Sequence, residues 1–239
     1  GDAMFPDVVK ATAVILSRLG HEVVFPEQQS CCGQMHVNTG YQREAIPQIK
    51  NYVDAFSDPS IDCVVAPSGS CAGAVREQHE HVASRYGSAA LVDGARATAK
   101  KTYDLSEFLI DVAGTDQLGA FFPHRVTYHS TCHSLRFLKV GDRPLRLLRN
   151  VESIDLVELP HADECCGFGG TFSVKQPDIS GAMVTDKVAA LKETQATEIV
   201  SADAGCMMNI GGKIAKDEPG MPKPKHIATF LLERTGGKA

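Results

Sequence analysis

Apolar residues follow two alternating patterns along the chain, a helical spacing and short continuous runs. Helical spacing marks residues 2–19, where Pro6 suits the first turn, and also residues 46–56 and 184–191. Short apolar runs predict strands, and a cysteine follows each one closely: residues 21–26, 63–67, 125–129, 155–160 and 198–202. Strands that alternate with helices predict an α/β fold with parallel sheets covered by helices.

The sequence contains an internal repeat. The motif of two cysteines and a glycine occurs at residues 31–33 and again at residues 165–167, an offset of 134 residues. A further cysteine follows each motif, Cys71 in the first case and Cys206 in the second. We therefore predict two pseudo-symmetric repeats, each a parallel sheet covered by helices, spanning residues 1–116 and 117–239.

Cys132 has no counterpart within the sequence. It follows the strand predicted at residues 125–129, and the repeat offset places its equivalent just before Gly1. We expect a short strand ending in a cysteine to be missing at that point. Because ligands collect outside the carboxyl ends of parallel strands, we also expect Cys71 to approach Cys31 and Cys32 in space.

Composition narrows the class of protein. Hydrophobic residues form 43% of the chain and charged residues 22%, as in an ordinary globular protein, and the net charge of −5 gives no reason to expect a nucleic-acid partner. No apolar run approaches the roughly 18 residues of a membrane span. The first residues do not form a secretory signal, so we expect a cytoplasmic protein.

The eight cysteines point to a metal centre more than to disulfides. Four of them form two adjacent pairs, and a bridge between neighbours is strained and closes a trivial loop. Adjacent thiolates are better suited to binding one centre. The second repeat offers four such ligands, and the first offers three: Cys132, Cys165, Cys166 and Cys206, then Cys31, Cys32 and Cys71.

Four thiolates can bind zinc or a [4Fe-4S] cluster. Zinc sites generally use short spacers, which these ligands lack. Gly167, Gly169 and Gly170 allow the backbone to approach a bulky centre, so the sequence favours iron–sulfur and keeps zinc as the alternative.

Several other residues have simpler interpretations. Cys63 belongs to no repeat and is expected in the core. His129 and His133 flank Cys132, where they either tune a centre or are ordinary loop residues. We expect surface positions for four more residues: His36, His161, Asp163 and Glu164.

These motifs resemble a known family. The sequence Cys165-Cys166-Gly167-Phe168-Gly169-Gly170, its partner at residues 30–34 and the segments 38–47, 67–71 and 128–132 are similar to lactate utilization protein A. More distantly, the chain resembles the cysteine-rich subunit of heterodisulfide reductase and the iron–sulfur subunit of glycolate oxidase, which share the duplicated cysteine-rich domain. It departs from the heterodisulfide reductase protein at Ser68 and Asp203, where that relative has cysteines, so a four-cysteine cluster is expected.

The resemblance implies an iron–sulfur subunit of an oxidoreductase complex that passes electrons while L-lactate is oxidised to pyruvate beside partner subunits. Two alternatives stay open: a thiol–disulfide reductase of the heterodisulfide type, and a non-redox zinc protein that serves in assembly. The sequence itself contains nothing that identifies the substrate.

Overall fold

The computed structural model describes residues 4–235. Its first half contains two short strands and seven α-helices: α1 (Pro6–Arg18), α2 (Gln34–Asn38), α3 (Ile46–Ala55), β1 (Val64–Ala66), α4 (Gly69–Gly73), α5 (His79–Tyr86), α6 (Ala89–Lys100), β2 (Thr102–Asp104) and α7 (Leu105–Glu107). One π-helical stretch, Ala74–Gln78, joins α4 to α5, and another, Phe108–Val112, extends α7. A single 3-10 turn, Arg43–Ala45, leads into α3.

The second half contains four strands and five α-helices: β3 (Arg125–His129), α8 (Arg143–Arg149), β4 (Asp155–Val157), α9 (Phe172–Lys175), α10 (Pro177–Glu193), β5 (Glu198–Ser201), α11 (Ala204–Asp217), β6 (Lys225–His226) and α12 (Ile227–Arg234). A π-helical stretch, Ser134–Leu138, follows Cys132.

All strands in the two sheets pair in parallel. The first sheet pairs β1 with β2, and the second has the order β4-β3-β5-β6. In the second sheet Thr127 pairs with Val157 on one side and with Ile199 on the other. The predicted α/β class with parallel sheets covered by helices is therefore confirmed.

A shared core joins the two halves. Leu105 and Leu109 from the first half pack in one buried cluster with Val126, Leu147 and Phe230 from the second. A second cluster buries Cys166 and Cys206 among side chains of α10 and α11. Because the cysteines lie at the rim of a packed core, their backbone positions are fixed by burial of the surrounding helices.

The strand predicted at residues 21–26 does not form. Val24 and Phe25 are 63% and 54% exposed, and the segment has no regular structure. In the second half the corresponding strand β4 pairs with β3, but the described part of the first half has no counterpart of β3. A β-strand needs a hydrogen-bonded neighbour, so apolar residues alone are insufficient here.

No helix within residues 4–235 has both the length and the apolar character needed to cross a membrane.

Candidate metal centre

Four cysteines of the second half converge from three segments. Cys132 follows β3, Cys165 and Cys166 follow β4, and Cys206 lies in the first turn of α11. The Sγ atoms of Cys166 and Cys206 lie 3.1 Å apart, and Cys165 is within hydrogen-bonding contact of both Cys132 and Cys166. Parallel strands β3, β4 and β5 end at one edge of the sheet, which brings these distant residues together.

The loop that carries the second cysteine pair is held against two helices. Gly167 has a φ of +81°, and a Cβ there would lie 2.7 Å from the carbonyl oxygen of Ser180, so glycine is required. The hydroxyl of Ser180 donates to the Gly167 carbonyl at 2.8 Å, and Asn209 Nδ2 donates to the Cys166 carbonyl at 2.8 Å. The Gly167 N–H points back to the sulfur of Cys165 at 3.3 Å.

His129 completes this group of ligands. It ends β3 fully buried, and its ligand atom and those of Cys166 and Cys206 all lie within 4.8 Å of one another. Neither ring nitrogen has a hydrogen-bond partner among residues 4–235. Burial lowers the pKa of His129 to about 4, so the ring is neutral at physiological pH. A buried polar ring without a partner is costly, and a metal ligand or a sulfide acceptor would satisfy it.

The thiols of the second half differ in how readily they lose a proton. Contact with the Cys132 thiol, and then with Cys166, holds the pKa of Cys165 far below its usual range. The same contact with Cys165 raises the pKa of Cys166, to which Cys206 and burial also contribute. One readily formed thiolate among neighbouring thiols suits a soft metal, because binding the metal releases the remaining protons.

The first half brings three cysteines together. The Cys32 thiol contacts both Cys31 and Cys71, and these contacts raise its pKa while lowering that of the other two. Cys32 is buried beside Tyr52. The carbonyl of Cys32 accepts a hydrogen bond from buried His79 at 2.8 Å, much as the Cys166 carbonyl accepts one from Asn209.

The segments that carry the two cysteine sets contact each other. Gln34 Nε2 and His133 Nε2, which follow the first pair and Cys132, lie 3.1 Å apart. The carboxylate of Asp203 accepts hydrogen bonds from Ser68 Oγ and from the backbone N–H of Ser70, both at 3.0 Å. Residues that sit three positions before Cys71 and Cys206 are therefore bonded to each other.

The remaining candidates lie outside these sets. Cys63 is half-buried directly before β1 and belongs to none of the buried clusters, so its predicted place in the core is wrong. His161 and Glu164 are exposed and pair with each other at 3.5 Å, and Asp163 is also exposed. His36 is half-exposed.

Two charged residues near the centre have roles that the sequence pattern alone does not predict. Lys187 is 1% exposed and lies on α10, and Asp203 is 4% exposed. The burial of Lys187 could be predicted, because this residue lies at the same helical spacing as the apolar residues Val184, Val188 and Leu191. Asp203 stands out in the sequence only as a substituted ligand, although an aspartate directly before a helix is a typical N-cap.

The unequal thiols give a pH-dependent prediction for the reduced, metal-free protein. Contact with Cys32 lowers the pKa of exposed Cys31 to about 5, whereas burial raises the pKa of Cys63. At pH 6 Cys31 is almost wholly thiolate. Because a low-pKa thiolate is also a weaker nucleophile, we expect iodoacetamide to label Cys31 only about tenfold faster than Cys63.

The rate at Cys31 should fall as the pH drops through 5 and should level off above it, whereas labelling of Cys63 should keep rising with pH through the neutral range. Peptide mass spectrometry over a pH series measures both rates. Parallel profiles for the two cysteines would contradict the arrangement of the first set.

Comparison with known proteins identifies the family of this chain. The family profile described as a cysteine-rich domain matches residues 1–76 and 126–211, so the domain occurs twice. Lactate utilization protein A of Geobacillus kaustophilus is 46% identical over 236 residues, covering 98% of this chain and 95% of that protein. The chain belongs to the lactate utilization protein A family. The Oceanobacillus iheyensis and Bacillus pumilus members are 45% and 43% identical, covering 100% and 98% of this chain and 96% and 95% of those proteins.

Membership of the lactate utilization protein A family confirms the resemblance noted from the motifs. The two matched regions contain all seven cysteines of the two sets, and Cys63 as well. The family and the structure together establish a duplicated cysteine-rich domain with a candidate Cys/His metal site.

Proposed function

We propose that this chain is the iron–sulfur subunit of a lactate-oxidising complex, in which it carries electrons between partner subunits. The observation that carries the proposal is the convergence of four thiols and a neutral, unpartnered histidine at one edge of the second sheet. The relatives' name supports the choice of lactate as the substrate of the complex. Free cysteines, which include all eight here, are typical of a reducing compartment and support a cytoplasmic location.

The donor set suits a [4Fe-4S] cluster. Four thiols would hold it: Cys132, Cys165, Cys166 and Cys206. When bound, such a cluster accepts and donates single electrons. Ligand atoms from three separate segments can spread around a large centre, whereas structural zinc sites generally draw their ligands from short spacers.

The protein supplies the surroundings of that centre. The Gly167 N–H is directed at the sulfur of Cys165, and a neutral His129 can offer one N–H in the same pocket. Cys166 and Cys206 are buried, which keeps water from two of the four ligands. Hydrogen bonds to sulfur and exclusion of water are the means by which a protein sets a reduction potential.

We further propose that the boundary between the two repeats lies near residue 116. We also propose that the second set of cysteines binds metal more tightly than the first set. The first set, Cys31, Cys32 and Cys71, supplies three thiols against four, and Cys31 is exposed. A cluster with three protein ligands has one open coordination position, so solvent and oxygen reach its iron. Cluster loss during aerobic handling should therefore begin at the first set.

Anaerobic reduction separates the candidate functions. Protein purified under argon should be brown, should lose visible absorbance on adding dithionite, and should then give the paramagnetic signal of a reduced cluster. A colourless protein that contains zinc would point to the assembly role. Turnover of a disulfide substrate by the isolated chain, with dithionite-reduced methyl viologen as electron donor, would instead point to the thiol–disulfide reductase.

A further inference from the structure

A buried lysine lies beneath the second cysteine set. Lys187 is the one lysine or arginine that is buried among residues 4–235, with 1% of its surface exposed. It lies on the face of α10 that contributes Val184, Val188 and Leu191 to the core cluster around Cys166 and Cys206. This face packs on the cysteine loop, because a Cβ on Gly167 would meet atoms of Ser180 and Met183, one or two turns earlier on α10.

The ammonium group of Lys187 has few partners of its own. Its Nζ donates to the His161 carbonyl oxygen at 2.6 Å, in the loop that leads to Cys165. No carboxylate within the described part of the chain lies at salt-bridge distance from it. An ammonium has three N–H donors, so most of its hydrogen-bonding capacity is unused. A buried charge in this state needs a nearby negative charge to be stable.

The Glu164 carboxylate and the cysteine set supply that charge. Burial lowers the pKa of Lys187, whereas the Glu164 carboxylate and then the thiolates of Cys166 and Cys132 raise it. The positive charge in turn acts on Cys206 and on His129. The charge of Lys187 therefore interacts with three of the four candidate ligands, although Lys187 is remote from them in sequence.

Within the described part of the chain, the first set has no equivalent buried lysine or arginine. The repeat offset of 134 residues relates Lys187 on α10 to Val53 on α3, next to Tyr52. Tyr52 packs with Cys32 in the same buried cluster of the first half, and burial raises the pKa of its hydroxyl above the usual range, so it is neutral. The two sets thus have similar thiols but different charges beneath them.

We propose that Lys187 is the resident counter-cation of the second centre and that it raises the reduction potential of that centre. This inference rests on the proposed iron–sulfur function. A four-thiolate [4Fe-4S] centre is a dianion when oxidised and becomes a trianion on taking one electron from a low-potential donor. A fixed cation stabilises the more negative state more strongly, so reduction becomes easier.

The test compares three variants of the full chain, reconstituted with iron and sulfide under argon. K187M removes the charge at nearly constant volume, and K187R keeps it. K192M removes one charge from the same helix at an exposed position, where Lys192 pairs with Glu218. Each protein is titrated with dithionite in the presence of mediators, and the reduced second centre is followed by electron paramagnetic resonance.

We expect K187M to lower the one-electron reduction equilibrium constant of the second centre at least tenfold, which corresponds to about 59 mV. K187R and K192M should change it less than threefold. A tenfold or larger shift in K187R or K192M, or an unchanged potential in K187M, would overturn the role of the charge. If K187M does not load, K187Q is compared with K187R. Loading in K187R alone supports the charge, loading in neither overturns it, and if K187Q loads, its potential is judged as for K187M.

The experiment also distinguishes failure of this inference from failure of the proposed function. If the unmodified chain takes up zinc and no iron–sulfur cluster, the proposed function is wrong. A zinc ion with four thiolates is also a dianion, so K187M should then weaken zinc binding about tenfold relative to K192M. Equal zinc affinities in K187M and K192M would overturn the counter-cation role in that case.

Discussion

Replacing Cys166 by serine should remove most of the metal from the chain. Cys166 contacts Cys165 and Cys206 and is 2% exposed, so its loss breaks the set in the middle. A serine hydroxyl stays protonated and is a poor ligand for a soft metal. We expect the C166S variant to bind iron at least tenfold more weakly than the unmodified chain, measured as iron per chain after anaerobic reconstitution and gel filtration.

Two matched variants control this experiment. C32S makes the same change in the first set, where the cysteine is also buried, and should remove less iron because three thiols hold less metal than four. C63S changes a cysteine outside both sets and should leave the iron content unaltered. Equal iron losses in C166S and C32S would show that the two sets are ranked wrongly.

Replacing Asp203 by alanine should destabilise the protein strongly. The carboxylate caps α11 by accepting from the Gly205 N–H at 3.0 Å, and its other oxygen accepts from Ser68 and Ser70 in the opposite half. Loss of an N-cap costs about 1 kcal/mol. Each hydrogen bond to a charged group contributes about 1.5–3 kcal/mol, so we expect the free energy of unfolding to fall by about 3 kcal/mol or more.

Urea denaturation of the metal-free protein measures this loss. D203N keeps an oxygen acceptor and should lose less stability than D203A. D163A removes an exposed carboxylate from the loop before Cys165 and should change the free energy of unfolding by less than about 0.5 kcal/mol. A D203A variant as stable as D163A would mean that the hydrogen bonds between the halves contribute nothing.

The strand before Cys132 could be predicted from the sequence because its apolar residues form a clear pattern. Residues 125–129 form β3 as predicted, and every side chain from Val126 to His129 is buried. The repeat also predicted that Cys71 lies beside Cys31 and Cys32, and the contacts of Cys32 agree with this, although the strand expected before Cys31 does not form. The apolar pattern therefore predicts a strand correctly where its side chains are buried in the fold.

The prediction failed where an element depends on a distant neighbour. Residues 21–26 have the composition of a strand, but an isolated strand has no hydrogen-bond partner and stays irregular. The roles of Lys187 and Asp203 depend on contacts between segments far apart in sequence. The sequence shows that a lysine lies on an apolar helix face and that an aspartate precedes a helix. The negative charges near the lysine and the hydrogen bonds of the aspartate become evident only in the folded structure.

The decisive measurement is the content of iron and acid-labile sulfide in the full chain, purified and reconstituted under argon. We expect about four iron and four sulfide per chain at the second set, from the composition of a four-cysteine cluster. The C166S variant should lose them, and the visible absorbance of the unmodified chain should decrease on reduction. Zinc in place of iron, or iron without sulfide, would contradict the proposal that this chain carries electrons through an iron–sulfur centre.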